Sequence, residues 1–306
     1  MGAFLSRRLI DLVIALLGVS LIVFMSVRLV PGDPARLVAG TEASESDIAA
    51  VRERLGLTDS LVEQYGRYME GLVTGDMGQS LRNNQPVTDL LLSRASATMR
   101  LALASLVVAL VIGMSSGILA ALRRGSLIDL GSMAFALLGA SMPSFWLGLL
   151  LILLFSVNLG WLPTGNDGGI DHLILPAITL GTANAAIIAR LVRANLLEVL
   201  QQDYVQTARA KGLTPKTVLF GHALRNAMIP TVTILGLQWG TLLAGSVVTE
   251  TVFAWPGLGR LLIDAVAVRD YPVIQGCVMV FALVFMVTNL MVDISYALLN
   301  PRIRLA

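Results

Sequence analysis

Six apolar runs, each about twenty residues or longer, dominate this chain of 306 residues and leave it few possible folds. They fall at approximately 9–30, 98–121, 130–157, 173–193, 227–249 and 273–299. At about 1.5 Å per residue, a helix of any of these lengths crosses roughly 30 Å of hydrocarbon. Inside lipid no water bonds the backbone, so helices that satisfy their own N–H and C=O groups are expected. The fourth run is the weakest, because Asn184 and Arg190 interrupt it and Pro176 sits near its start. The chain is 14% charged, against roughly 25% in soluble domains, so composition agrees. The expected fold class is an all-α integral membrane protein with six transmembrane helices.

Basic residues in short connections set the expected orientation. With the N-terminus inside, the inner segments hold Arg7, Arg8, Arg123, Arg124, the Arg190–Arg225 stretch, Arg302 and Arg304. The outer loop near 158–172 holds no basic residue but histidine. The loop near 250–272 holds Arg260 and Arg269 beside Glu250, Asp264 and Asp270. Both termini are therefore expected in the cytoplasm. The first run is too long for a signal peptide, and no small-residue cleavage site follows it. The organisation read from this is a first span at 1–30, an outer segment at 31–97, a five-helix core at 98–300 with a loop at about 196–226, and a tail at 301–306.

The outer segment is acidic and folded in pattern. Residues 44–56 read as a short helix capped by Ser44 or Ser46, with Ile48, Val51 and Leu55 as its apolar stripe. Leu61, Tyr65, Tyr68 and Leu72 give a second stripe. The segment serves either as a collar over the helix ends or as a contact for a delivery protein or substrate.

Several chemistries are excluded. The single cysteine, Cys277, allows no disulfide within the chain, and two histidines, His172 and His222, are too few for a zinc site of the usual kind. No metal site and no cofactor are expected. No GxxxxGK[ST] loop occurs, so the chain itself holds no Walker-type ATP site. A Ser–His pair for intramembrane hydrolysis is missing, since both histidines lie outside the runs.

The polar stretch 203–226, DYVQTARAKGLTPKTVLFGHALRN, stands out between long apolar runs. Leu196 or Leu197, Leu200, Tyr204 and Ala208 keep helical spacing into it. Gly212 is placed to end that helix, and Thr214 to cap a second one with Pro215 in its first position. A rigid elbow of helix, corner and helix is expected, suited to passing force from a partner to the spans at its two ends.

This stretch resembles the coupling loop, or EAA loop, of permease subunits in bacterial ABC importers. The Glu-Ala-Ala-x-x-x-Gly pattern reads here Gln206, Thr207, Ala208 and Gly212, so the Glu and first Ala are absent, and Arg225 stands where the pattern has proline. ARAKG followed by HALRNAMIP is similar to the dipeptide/oligopeptide/nickel branch. So are PGDPAR (31–36), LGL (55–57), GDMGQS (75–80), SMPSFWLG (141–148), ETVFAWPGLGRLL (250–262), RDYPVIQG (269–276) and NPRIR (300–304). Within that branch the chain resembles the first of the two permease subunits, and its length and PGDPARL also resemble glutathione-type permeases.

The resemblance implies the type I ABC importer permease fold, with a small extracytoplasmic subdomain between the first two helices, in the bacterial inner membrane. It implies a non-catalytic subunit for import of a dipeptide, oligopeptide or glutathione-like peptide, with nickel as the alternative solute. Implied partners are a second permease subunit in a heterodimer, two ATP-binding subunits that carry ATP and Mg2+, and an extracytoplasmic solute-binding protein. Tyr204, Val205, Thr207, Ala208, Arg209, Ala210, Lys211, Gly212 and Leu213 would then dock on the ATPases. A self-contained secondary transporter is the competing reading, and it would want internal repeats and paired intramembrane charges.

Three further features carry open alternatives. GMSSG (113–117) and GLQWG (236–240) allow close helix approach, within the chain or at a subunit interface. Asn184, Gln238 and Thr241 are polar groups in apolar runs, suited to a translocation path or to bonds between helices. Trp255, Pro256 and Gly257 form a turn suited to an extracytoplasmic gate or to surface packing. Asp11, Asp129 and Asp293 lie near or within span ends, and structural roles are expected for them. Pro143 is expected to kink the third span.

Overall fold

The computed structural model describes residues 2–29, 33–39, 43–54 and 56–299. In chain order the helices are α1 Gly2–Leu29, α2 Pro34–Ala39, α3 Glu45–Arg54, α4 Leu61–Thr74, α5 Val87–Leu122, α6 Leu127–Ser141, α7 Ser144–Leu151, α8 Ile170–Val199, α9 Asp203–Ala210, α10 Pro215–Thr217, α11 Leu224–Val252, α12 Leu258–Ala267 and α13 Tyr271–Leu299. Two π-helical segments, Ile152–Asn158 and Val218–Ala223, continue α7 and α10. The NPRIR motif and the basic residues at 302 and 304 lie outside the described residues, as do Pro31 and Gly32 of PGDPAR and Leu55 of LGL.

Helices α1, α5, α8 and α13 are each long and apolar enough to cross a membrane. Helix α11 occupies the fifth expected position and is unbroken over 29 residues, with Pro230 inside it. The third expected span is a correction. Residues 130–157 do not form one kinked helix, because α6 and the α7 segment meet at 106°. Residue 142 precedes a proline, which disfavours the α region, and Met142 and Pro143 both adopt extended backbone. The chain thus leaves one helix at Ser141 and starts another at Ser144.

By internal packing the chain divides into two compact units. One comprises residues up to 96 together with 257–286, and the other 97–256 with the residues from 287 onward.

In the first unit, α4 starts at a reciprocal cap. Ser60 accepts from the Glu63 N–H while Glu63 returns a bond to the Ser60 N–H. The Ser44 hydroxyl accepts from the Asp47 N–H at the start of α3, as its spacing predicts. Tyr65 and Tyr68 of α4 pack on Phe24 of α1, with ring centroids 5.2 and 5.8 Å away. Leu61 is exposed, so the apolar stripe of α4 begins a turn later than its spacing suggests. Val87 and Leu91 pack with Leu258, Ala265, Val273 and Cys277 in a second core.

In the second unit α8 is the hub. It packs against α6, α7 and α11. Small residues bring α5 onto it as well: a Cβ built on Gly113 would lie 2.8 Å from the Ala185 carbonyl, and one on Gly117 2.6 Å from that of Ala189. The GMSSG pattern is therefore a packing device within the chain. The same holds at Gly236, where a Cβ would sit 2.3 Å from Val292. The weakest apolar run, α8, is the most buried of the four helices α1, α5, α8 and α13, and protein surrounds its Asn184 while Arg190 is exposed.

Candidate functional site

Local chemistry builds the elbow. Helix α9 ends in a double-bonded corner: the Gly212 N–H donates to the Arg209 carbonyl at 2.9 Å and the Leu213 N–H to the Ala208 carbonyl at 3.4 Å. This is the Schellman arrangement, which needs a left-handed residue, and Gly212 has φ +78. Thr214 then takes extended backbone and accepts from the Thr217 N–H, with Pro215 in the first helical position. These three roles match the expectations from sequence.

The approach to the elbow differs from expectation. Residues 196–210 are not one continuous helix, because α8 ends at Val199 and a turn at Leu200–Gln202 precedes α9. The turn changes the facing of every side chain beyond it. Tyr204, expected on the apolar stripe, is exposed, and Val205 takes the inward position. The Tyr204 hydroxyl instead accepts from the Asn226 side-chain amide at 2.7 Å.

Val205 and Ala208 pack in one core with Ala121 of α5, Leu196 of α8, Val218, Leu219 and Ala223 of the π segment, and Ala227 of α11. The short helix is thus seated on the ends of three long ones. Of the nine residues expected to meet a partner, Val205 and Ala208 face this internal core. Tyr204, Thr207, Arg209, Ala210, Lys211, Gly212 and Leu213 are on the surface.

Beside the elbow, Arg193 of α8 grips Asp129 of α6 with two bonds, Nε to Oδ1 at 2.7 Å and Nη2 to Oδ2 at 2.8 Å. The Gly125 N–H adds a third bond to the same carboxylate at 3.0 Å. The forked geometry and the small exposure of Asp129 make this stronger than an ordinary surface pair.

Asn184 and Gln238 are both buried and line one cavity of about 320 Å3, together with Ser144, Thr179, Gly139 and Gly245. Sequence placed these two residues among path candidates, and the fold brings them to one space. The side chain of Thr241 lies outside the described residues, as does that of Asp293. Polar hydroxyls and amides set in an apolar wall can hold water or a polar solute inside the unit.

Trp255 is buried, and its indole N–H donates to the Ala97 carbonyl at 2.9 Å. The Phe253 carbonyl accepts from the Asn166 N–H at 2.8 Å. The turn is therefore fastened at Trp255. Pro256 follows it and Gly257 caps α12.

Two acidic residues were missed as anchors. Glu250, counted with the outer loop, is inside α11 and fully buried, where the Thr98 hydroxyl donates to it at 2.7 Å. Asp270 accepts from the Ser80 hydroxyl and, at 3.1 Å, from the Leu81 N–H. The motifs GDMGQS and RDYPVIQG thus meet in space. For Glu250 the available signal was an acid at the end of an apolar run. For Asp270 no local signal existed.

This arrangement of a hub helix, a broken third span and a corner-ended surface helix is that of a membrane transport subunit. The chain belongs to the family of binding-protein-dependent transport system inner membrane components, whose model matches residues 113–305. The model for the N-terminal part of such membrane components matches residues 1–102. The chain is 50% identical over 298 residues to the glutathione transport system permease protein GsiC of Escherichia coli K12, with 97% of each chain covered. The same values hold for the proteins of that name from Shigella dysenteriae serotype 1 and Shigella flexneri serotype 5b. Among solved structures, the methionine ABC transporter MetNI in an inward-facing conformation matches with a TM-score of 0.58 at 21% identity, over 69% of this chain and 96% of that one. A crystal structure of an amino acid ABC transporter with histidines matches with a TM-score of 0.53 at 17% identity, over 70% and 94%. The fold is that of a type I ABC importer permease, a multi-pass protein of the inner membrane.

Proposed function

We propose that this chain is one permease of a peptide importer, with a glutathione-type solute as its cargo, and that its elbow carries the drive from separate ATPase subunits. The observation that carries this is the seating of α9. Its outer face and the corner after it present Arg209, Lys211 and Leu213, while its inner face is packed into the ends of α5, α8 and α11. Displacement of the exposed face moves Val205 and Ala208, and close packing passes that displacement to all three helices. The identity with proteins named as glutathione transport permeases supports the choice of solute over other peptides and nickel.

In this reading the termini and the elbow face the cytoplasm, which the distribution of arginines supports. A second permease completes the pore, two ATP-binding subunits hold ATP and Mg2+, and an extracytoplasmic binding protein delivers the solute. The cavity around Asn184 and Gln238 contributes to the path, with Thr241 on the same helix as Gln238. The turn at Trp255, Pro256 and Gly257 acts as an outer gate element anchored by the indole.

The test is reconstitution of the assembled transporter with its binding protein in vesicles. Glutathione should stimulate ATP hydrolysis and accumulate inside, whereas nickel should do neither. Stimulation by dipeptides alone would replace the solute while keeping the mechanism. Uptake driven by an ion gradient without ATP would refute the reading.

A further inference from the structure

We propose that the unit formed by residues up to 96 and 257–286 contains a binding site for a small organic carboxylate with an apolar body. A cavity of about 540 Å3 is bordered by Arg28 at the end of α1, by Arg52 and Gln64 of α3 and α4, and by Tyr271 and Gln275 of α13. Val27, Leu57, Leu61 and Leu81 supply its apolar side.

Two of its groups lack the partners that burial demands. The Tyr271 hydroxyl is buried with no hydrogen-bond partner among the described residues, on a residue only 5% exposed. The Arg28 guanidinium has a fixed orientation. Nε and Nη2 donate to the Gln64 side-chain oxygen at 3.2 and 2.7 Å, Nη1 donates to the Phe24 carbonyl at 3.0 Å, and the group stacks 3.3 Å from the centroid of the Phe24 ring. All these partners are neutral. Among the described residues no carboxylate pairs with Arg28, whereas Arg52 pairs with Asp33.

A guanidinium has five N–H donors, and the bonds just given use three of them. A held, half-buried cation without an anion is costly to the fold, and so is an orphan phenol. One carboxylate entering the cavity would meet both needs, since a phenol donates to it and a guanidinium binds it strongly. The apolar side calls for a hydrocarbon portion on the same molecule. The Asp33 carboxylate on the wall disfavours a multiply charged phosphate and tolerates a singly charged acid. The site stands on this cavity and does not rest on the transport reading.

The probe is N-acetyl-leucine, with N-acetyl-leucinamide as the uncharged control. The full-length chain, with its co-purifying subunits, is placed in phosphatidylcholine nanodiscs, and binding is read by ligand-observed NMR and by the shift in Tm. Saturable binding of the acid and none of the amide is expected. Tyr271→Phe removes a hydroxyl that bonds nothing, so unliganded Tm should hold or rise while affinity falls about tenfold, the worth of a hydrogen bond to a charged group. Arg28→Gln should abolish binding. Equal binding of acid and amide, no saturation, or affinity unchanged in Tyr271→Phe would overturn the proposal. So would loss of acid binding when phosphatidylglycerol replaces phosphatidylcholine, because a lipid headgroup would then be the occupant.

Discussion

Replacing Gly212 tests the elbow most directly, because the structure separates backbone strain from crowding. The residue has φ +78, and a Cβ built there meets nothing within 4 Å. Any side chain therefore fits in space, and the whole penalty is conformational. A left-handed backbone costs a residue with a side chain roughly 1–2 kcal/mol, Asn and Asp less, and β-branched residues more. The alternative is to release the corner and lose its two hydrogen bonds, at about 0.5–1.5 kcal/mol each. The two routes are similar in cost, so Gly212→Val should populate both, and the corner should be formed several-fold less often. Gly212→Asn should be close to wild type and Gly212→Ala in between. Insertion should survive in all three, since the long helices do not depend on the corner. The assay is solute uptake and solute-stimulated ATPase rate in reconstituted vesicles at matched expression. Activity should fall in the order Gly, Asn, Ala, Val, with both readouts falling together. An order that follows side-chain size, with Ala above Asn, or normal transport by Gly212→Val, would refute the reasoning.

Other outcomes follow from the same structure. Asp129→Ala should lower the unfolding temperature, because it leaves Arg193 part-buried without its partner; Asp129→Ala with Arg193→Leu should recover part of the loss. Burial, and secondarily Tyr65, pushes the Tyr68 phenol up to about 12, so in the fold it holds its proton where an unfolded tyrosine has lost it. Between about pH 10 and pH 12 the folded state binds the extra proton, so this group's contribution to stability falls as pH rises. Tyr68→Phe should remove the late phenolate absorbance step. Single cysteines near positions 80, 166 and 268 should react with an impermeant reagent from outside, and those near 124 and 214 should not. Outside labelling at 214 would reverse the orientation.

Features set by neighbours in the sequence were the legible ones. Gly212, Thr214 and Pro215 each act through their own backbone and that of the next few residues, so pattern and structure agree there. Pro143 signalled a kink, but the full break at 106° depends on where α7 packs, which no local pattern contains. The Tyr204 stripe was misread because three residues of turn, Leu200–Gln202, carry no glycine or proline to betray them. The partners Asp129 and Arg193 are 64 residues apart, and Ser80 and Asp270 are 190 apart. Pairings over such distances arise only once the helices are packed. Gathering Asn184 and Gln238 into one cavity belongs to the same class. Each was recognisable as a polar intruder, yet their common space comes from α8 and α11 lying side by side.

The hub position of α8 has a consequence for biogenesis. A nascent segment partitions into the bilayer according to its own hydrophobicity, and every amide or guanidinium near its middle weighs against entry. Helix α8 carries Asn184 and Arg190 and is the least apolar of the four long spans. Yet α6, α7 and α11 all pack on it. Alone at the translocon it should enter poorly, whereas α5 and α6, made before it, offer a protein surface for its buried face, Asn184 included. Fused behind a neutral reporter, residues 170–199 should insert inefficiently, and a fusion that begins at residue 87 should restore insertion. Such a dependence makes the order of synthesis part of what the sequence encodes: the helix around which the second unit is built can arrive only after its companions are waiting.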